Sequence, residues 1–166
     1  PRLIALYPGA LACLANVAPH VRAWSRGAST LLPRMLSRLC RPRFLCADAK
    51  HADHLVAFVD VLSLSLLHSH ATNRRLLGSL QTAEPLLRAL HTLTVAKFAS
   101  VPSRIAPSPA WLQSWHSKLA LPPLLTALDA LKAHPRARVG AALPAPGPLQ
   151  VRRYQPSEES LRWMQL

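Results

Sequence analysis

Apolar residues recur along this chain in steps of three and four. Leu32, Leu36 and Leu39 fall at i, i+4 and i+7 and form one stripe of a helix, with Ser29 placed to cap it and an end near Arg41, where Pro42 follows. Leu55, Phe58, Val59, Leu62 and Leu66 mark a longer stripe. Val56, Leu64 and Leu67 widen it, so the segment from His51 to about Ala71 is expected to be the most deeply buried helix. A third stripe runs through Leu86, Leu90, Leu93 and Phe98, with Thr82 as cap, Pro85 in the first turn and an end near Ala99. Thr72 to Leu80 then reads as a separate short helix or turn.

The remaining elements are shorter. Gly9 to Val17 reads as a helix after Pro8. The stretch from Val101 to Pro109 holds three prolines and no helical period, so it is a break. Ser108 and Pro109 are placed to open the next helix, which carries Trp111 and Trp115 at i and i+4. Pro122 and Pro123 open another through Leu124, Leu125, Leu128 and Leu131, ending near His134. From Pro135 to Pro148 the chain is rich in Pro, Ala and Gly and is expected to be extended. Val151 to Tyr154 reads as a short extended piece. Ser157 is placed to cap a last helix that carries Leu161 and Met164.

Composition strengthens the helical reading. Half of the 166 residues are apolar, with Leu and Ala dominant and β-branched residues sparse. The sixteen prolines are too many for helix interiors and predict punctuation between short helices. No fixed repeat length is present. Antiparallel helices of uneven length with short links fit an all-α, irregular α-solenoid of the armadillo or HEAT kind, with a compact bundle as the alternative. The expected organisation is a helical solenoid fragment over 1–134, a Pro/Ala/Gly-rich extended segment over 135–155 and a short terminal helix over 156–166. The chain opens on Pro1 with no initiator Met, so its true N-terminus is expected to lie upstream, together with any N-terminal address or lipid signal. The longest apolar run, Leu55 to Leu67, is interrupted by Asp60, Ser63 and Ser65 and is too short to span a bilayer, so no transmembrane segment is expected.

Charge adds a partner class. The formal net charge is +13, and residues 1–47 carry seven Arg and no acid. Arg34, Arg38 and Arg41 form a basic stripe, an expected contact for an anionic membrane surface or an acidic protein. A compositional bias toward Arg, Ala, Pro and Leu, with the stripe a solvated face, is the competing explanation. Trp111 and Trp115 have the spacing of packing residues rather than of a base-stacking platform.

Candidate chemistry is thin. Cys40, Cys46, His51 and His54 lie close in sequence, but five residues separate the two cysteines, unlike the tight pairs of structural zinc. Three cysteines make no even set, so free thiols and a cytosolic setting are expected. His68 and His70 point opposite ways on a helix and suit its C-terminal end. No acid lies in a nucleophile motif and no Gly-rich phosphate loop occurs. No catalytic, cofactor-binding or metal-binding residue is expected.

Four segments, in order, carry a family resemblance. They are LANVAPHVRAWSRGASTLLPRMLSRL (14–39), DHLVAFVDVLSLSLLHSHATNRRLLGSLQ (53–81), SPAWLQSWHSKLALPPLLTALDAL (108–131) and VGAALPAPGPLQVRRYQPSEESLRW (139–163). The set resembles the C-terminal part of the high-temperature-induced dauer formation family, to which the dymeclin proteins are distantly similar. The last segment contains a basic-Tyr-Gln motif, in which Tyr154 is expected to pack as a structural residue with Trp111 and Trp115. The resemblance implies a non-enzymatic, cytoplasmic scaffold, peripheral on Golgi and trans-Golgi membranes. Its expected work is vesicle trafficking and secretory granule formation with trafficking proteins as partners. The alternative is a basic helical nucleic-acid-binding protein, for which only charge and the two Trp speak.

Overall fold

The computed structural model describes residues 7–101, 105 and 107–133. Among the described residues all regular structure is helical, with no strand. The α-helices are α1 (Tyr7–Val17), α2 (Arg26–Leu39), α3 (Pro42–Leu45), α4 (Lys50–Ser69), α5 (Arg74–His91), α6 (Pro109–His116) and α7 (Leu121–Ala133). Short 3-10 turns follow at Ala18–His20 and Val95–Phe98.

Helix α4 is the hub. It packs against α1 and the first 3-10 turn on one side and against α2, α3, α6 and α7 elsewhere. Two apolar clusters meet on it. Leu55, Phe58, Val59, Leu62 and Leu66 join α2, α5 and α7 in the main core. Val61 turns the other way, onto Ala15 and Ala18. A helix apolar on more than one face is a buried helix, and the small Ser63 and Ser65 are buried along with its leucines. Each of those leucines contributes on the order of 1.5–3 kcal/mol by leaving water. Helix α4 has 20 residues and is, by length and composition alone, long and apolar enough to cross a membrane. Of its most apolar 18-residue window, 67% is buried within the fold, as the core helix of a helical domain would be.

Two helix starts differ from expectation. Helix α2 begins at Arg26, and its cap is Ser25, whose Oγ accepts from the Ala28 N–H at 3.2 Å. Ser29 lies one turn inside and is buried. This places Pro33 in the helix interior, where it has no N–H to give to the Ser29 carbonyl. Helix α5 runs unbroken from Arg74 to His91, so Thr82 and Pro85 are interior rather than initial. The Thr82 hydroxyl donates back to the Gly78 carbonyl at 3.0 Å. Buried Leu76, Leu80, Leu87 and Leu90 continue one face past Pro85, and this packing outweighs the lost hydrogen bond.

Asn73 ties the two halves of the chain together. Its Oδ1 accepts from the Trp24 N–H at 2.7 Å and its Nδ2 donates to the Val21 carbonyl at 3.2 Å. Thr72 Oγ1 donates to the Arg22 carbonyl beside it. The starts of α2 and α5 are thereby held side by side, and the two helices pack along each other.

Candidate functional site

Helix α2 turns Leu32, Leu36 and Leu39 inward, so Arg34 and Arg38 on its far side are exposed, and Arg41 beyond its end is exposed as well. The sequence stripe therefore survives as a surface. Two large apolar side chains share that surface: Leu31 is 55% exposed and Met35 37%. Their offset of one residue from Leu32 and Leu36 was the signal available in the sequence, because a step of one along a helix turns a side chain about 100° away from the core. A surface of guanidinium groups beside protruding apolar side chains can meet an anionic interface and insert into it at the same time.

The ion pairs of the described residues lie elsewhere. Arg88 on α5 donates from Nε to Glu84 at 2.9 Å and from an Nη to Asp129 of α7 at 2.5 Å, and Lys132 joins Glu84. Lys118 lies 3.9 Å from Asp53. The hydrogen bonds from Lys132 and then Arg88 hold the Glu84 carboxyl below its ordinary range, against the opposing effect of burial. No acid among the described residues forms an ion pair with Arg34, Arg38 or Arg41.

The two tryptophans sit in packing. Trp115 is 2% exposed and its ring lies 5.7 Å from that of Trp111, which meets Phe98 edge-on at 5.6 Å. Phe98 comes from the 3-10 turn Val95–Phe98, a segment the sequence pattern had placed inside a helix. Helix α6 rests on α4. Tyr154, the extended segment 135–155 and the helix expected over 156–166 lie outside the described residues.

Of the cysteine and histidine candidates, His51 and His54 lie together, their ring centroids 5.7 Å apart. Cys40 is buried, and burial pushes its thiol up to about 12, which keeps it protonated. His51 is stacked on Phe44 at 4.0 Å, with its Nδ1 2.7 Å from the Phe44 carbonyl. Burial, then the nearby His51, pushes the pKa of His54 down. Among the described residues no three His, Cys, Asp or Glu side chains come together as metal ligands. In comparison with known proteins, no family model, no curated protein and no solved structure matches the chain.

Proposed function

We propose that this chain is a non-enzymatic helical scaffold that docks peripherally on an anionic membrane surface through the outer face of α2. The observation that carries the reading is the segregation of charge. Arg34, Arg38 and Arg41 are exposed, without ion pairs among the described residues; Arg34 and Arg38 lie on the face that also bears Leu31 and Met35, and Arg41 follows just beyond its end. Each basic residue near such a surface contributes on the order of 1 kcal/mol. Three of them assist an anchor and do not replace one.

The finer reading follows from the family resemblance of residues 14–163. In it the helices form the end of an irregular α-solenoid, and the protein works on the cytoplasmic side of Golgi and trans-Golgi membranes with trafficking proteins. Burial of the chain's apolar stripes between helices supports a scaffold, and a scaffold needs no catalytic group.

Co-sedimentation with vesicles tests the docking. Binding at low salt to vesicles containing phosphatidylserine, absent with neutral phosphatidylcholine, is expected. Changing Arg34, Arg38 and Arg41 together to Glu should weaken it at least about tenfold. Equal binding by the triple variant would overturn the reading. Tighter, salt-steep binding of the wild type to RNA than to either vesicle would favour the nucleic-acid alternative instead.

A further inference from the structure

We infer that the groove between α2 and α5 is a binding site for a phosphate monoester. The groove has a volume of about 410 Å³ and lies beside the outer face of α2. Arg26, Ser29 and Thr30 of α2 and Arg74, Arg75 and Ser79 of α5 line it, and no acidic residue does. The link made by Asn73 and Thr72 holds the two helix starts side by side, so that all three arginines line one groove. Arg26 is the first residue of α2, and Arg74 and Arg75 are the first two of α5.

Three features point to an anion. First, the first residues of both helices line the groove, and a helix start carries partial positive charge, although Ser25 already caps the start of α2. The start of α5 has no side-chain cap of its own, because Asn73 spends its amide on Trp24 and Val21. Second, Ser29 is 2% exposed and its Oγ has no hydrogen-bond partner, although it stands in the groove wall. A buried hydroxyl left unpaired is costly, and a turn of the Ser29 side chain toward the groove would let a ligand oxygen resolve it. Third, three guanidinium groups share one groove with no counter-charge, so an anion there gains from all three.

The charge and shape select the class of anion. A phosphate monoester carries close to two negative charges at neutral pH and three strong acceptor oxygens. Guanidinium forks match such a group in pairs of parallel hydrogen bonds. A lone carboxylate has one charge and two oxygens and would leave most of this groove uncompensated. The carrier of the phosphate is either a soluble metabolite or a lipid headgroup, and both present the same group.

Calorimetry with inositol 1,4-bisphosphate as the soluble probe tests the site. The wild type should bind it, and Arg74→Gln with Arg75→Gln should weaken binding at least roughly tenfold, the factor of one charged hydrogen bond. Ser29→Ala should weaken it by about threefold or more. Arg43→Gln with Lys97→Gln removes the same charge away from the groove and should change affinity by less than about threefold. Circular dichroism of each variant separates lost binding from lost structure; if the arginine pair unfolds the chain, Arg26→Gln replaces it. Vesicles containing phosphatidylinositol 4-phosphate distinguish the sources. Tighter binding to those vesicles than to the soluble probe, lost in the groove variant, assigns a lipid headgroup; binding of the soluble probe alone assigns a metabolite. No binding by the wild type at millimolar probe, or equal weakening by both charge-removing pairs, would overturn the inference.

Discussion

Replacing Asn73 by alanine removes one side chain and leaves two backbone groups without partners. The Trp24 N–H loses its acceptor at 2.7 Å and the Val21 carbonyl loses its donor at 3.2 Å. Asn73 is 2% exposed, so water does not freely replace it. A buried polar group stripped of its partner costs about 1–3 kcal/mol. Both orphaned groups are only partly buried, which places each toward the lower end, and together they cost about 2–4 kcal/mol. For a domain of this size each kcal/mol moves the melting midpoint by roughly 2–6 °C, so a fall on the order of 10 °C is expected. Thr72→Ala is the comparison. Its hydroxyl bonds the Arg22 carbonyl of the same segment, but at an exposed position where water substitutes, so its loss costs under about 1 kcal/mol. Thermal unfolding followed by circular dichroism measures both. A midpoint for Asn73→Ala within about 2 °C of the wild type, or a larger effect for Thr72→Ala, would refute the claim that burial of this amide is what ties α2 to α5.

Three further outcomes are expected. Phe58→Ala, at a fully buried position of α4, should cost about 3–5 kcal/mol in urea unfolding, while Leu31→Ala on the exposed face of α2 should stay within about 0.5 kcal/mol. Glu84→Gln should cost about 1–2 kcal/mol near neutral pH, a modest figure because Arg88 and Lys132 are half exposed. Since the Glu84 carboxyl is held below its ordinary value near 4.5, its stabilising share is present above that pH and is lost as pH falls below it; urea midpoints of wild type and variant should therefore converge on acidification. Cys13 is exposed, whereas the Cys40 thiol is pushed to about 12, so at pH 8 only about one Cys40 in ten thousand is a thiolate. A thiol reagent should label Cys13 in the folded protein and reach Cys40 only after denaturation, as peptide mass mapping would reveal.

What could be read from the sequence followed its periodicity. The stripe of α4 and the caps at Ser108 and Pro109 were legible because each is a local pattern with a local cause: side-chain spacing in one, a hydroxyl that accepts from Trp111 N–H at 3.1 Å in the other. The start of α2 was misplaced by four residues because Ser25 and Ser29 are one turn apart and offer the same hydroxyl. Burial decided between them, and burial is a tertiary property. Thr82 followed by Pro85 imitates a helix start, yet the leucines on either side of Pro85 share a face that only the packing of α5 against α2 and α7 reveals. The outward side of α2 at Arg34 and Arg38 was legible from the inward spacing of its leucines. The groove was not, because Arg26 and Arg74 are 48 positions apart in sequence and nothing local joins them. The solenoid and bundle alternatives share one hydrophobic period, so periodicity distinguishes helix from strand but not one helical architecture from another.

The central place of α4 has a consequence for how the chain is made. Synthesis proceeds from the N-terminus at roughly 5–20 residues per second. Helix α4 ends at Ser69 and α7, one of the helices that cover it, begins at Leu121, about fifty residues later. For roughly 3–10 s on the ribosome α4 exists without part of its cover. During that interval it is a 20-residue segment covered only by the elements made before it, and it is long and apolar enough by length and composition to cross a bilayer. The nascent chain thus presents to chaperones and to the membrane-insertion machinery the same surface that the finished fold conceals, and the rate at which α7 arrives sets how long that competition lasts.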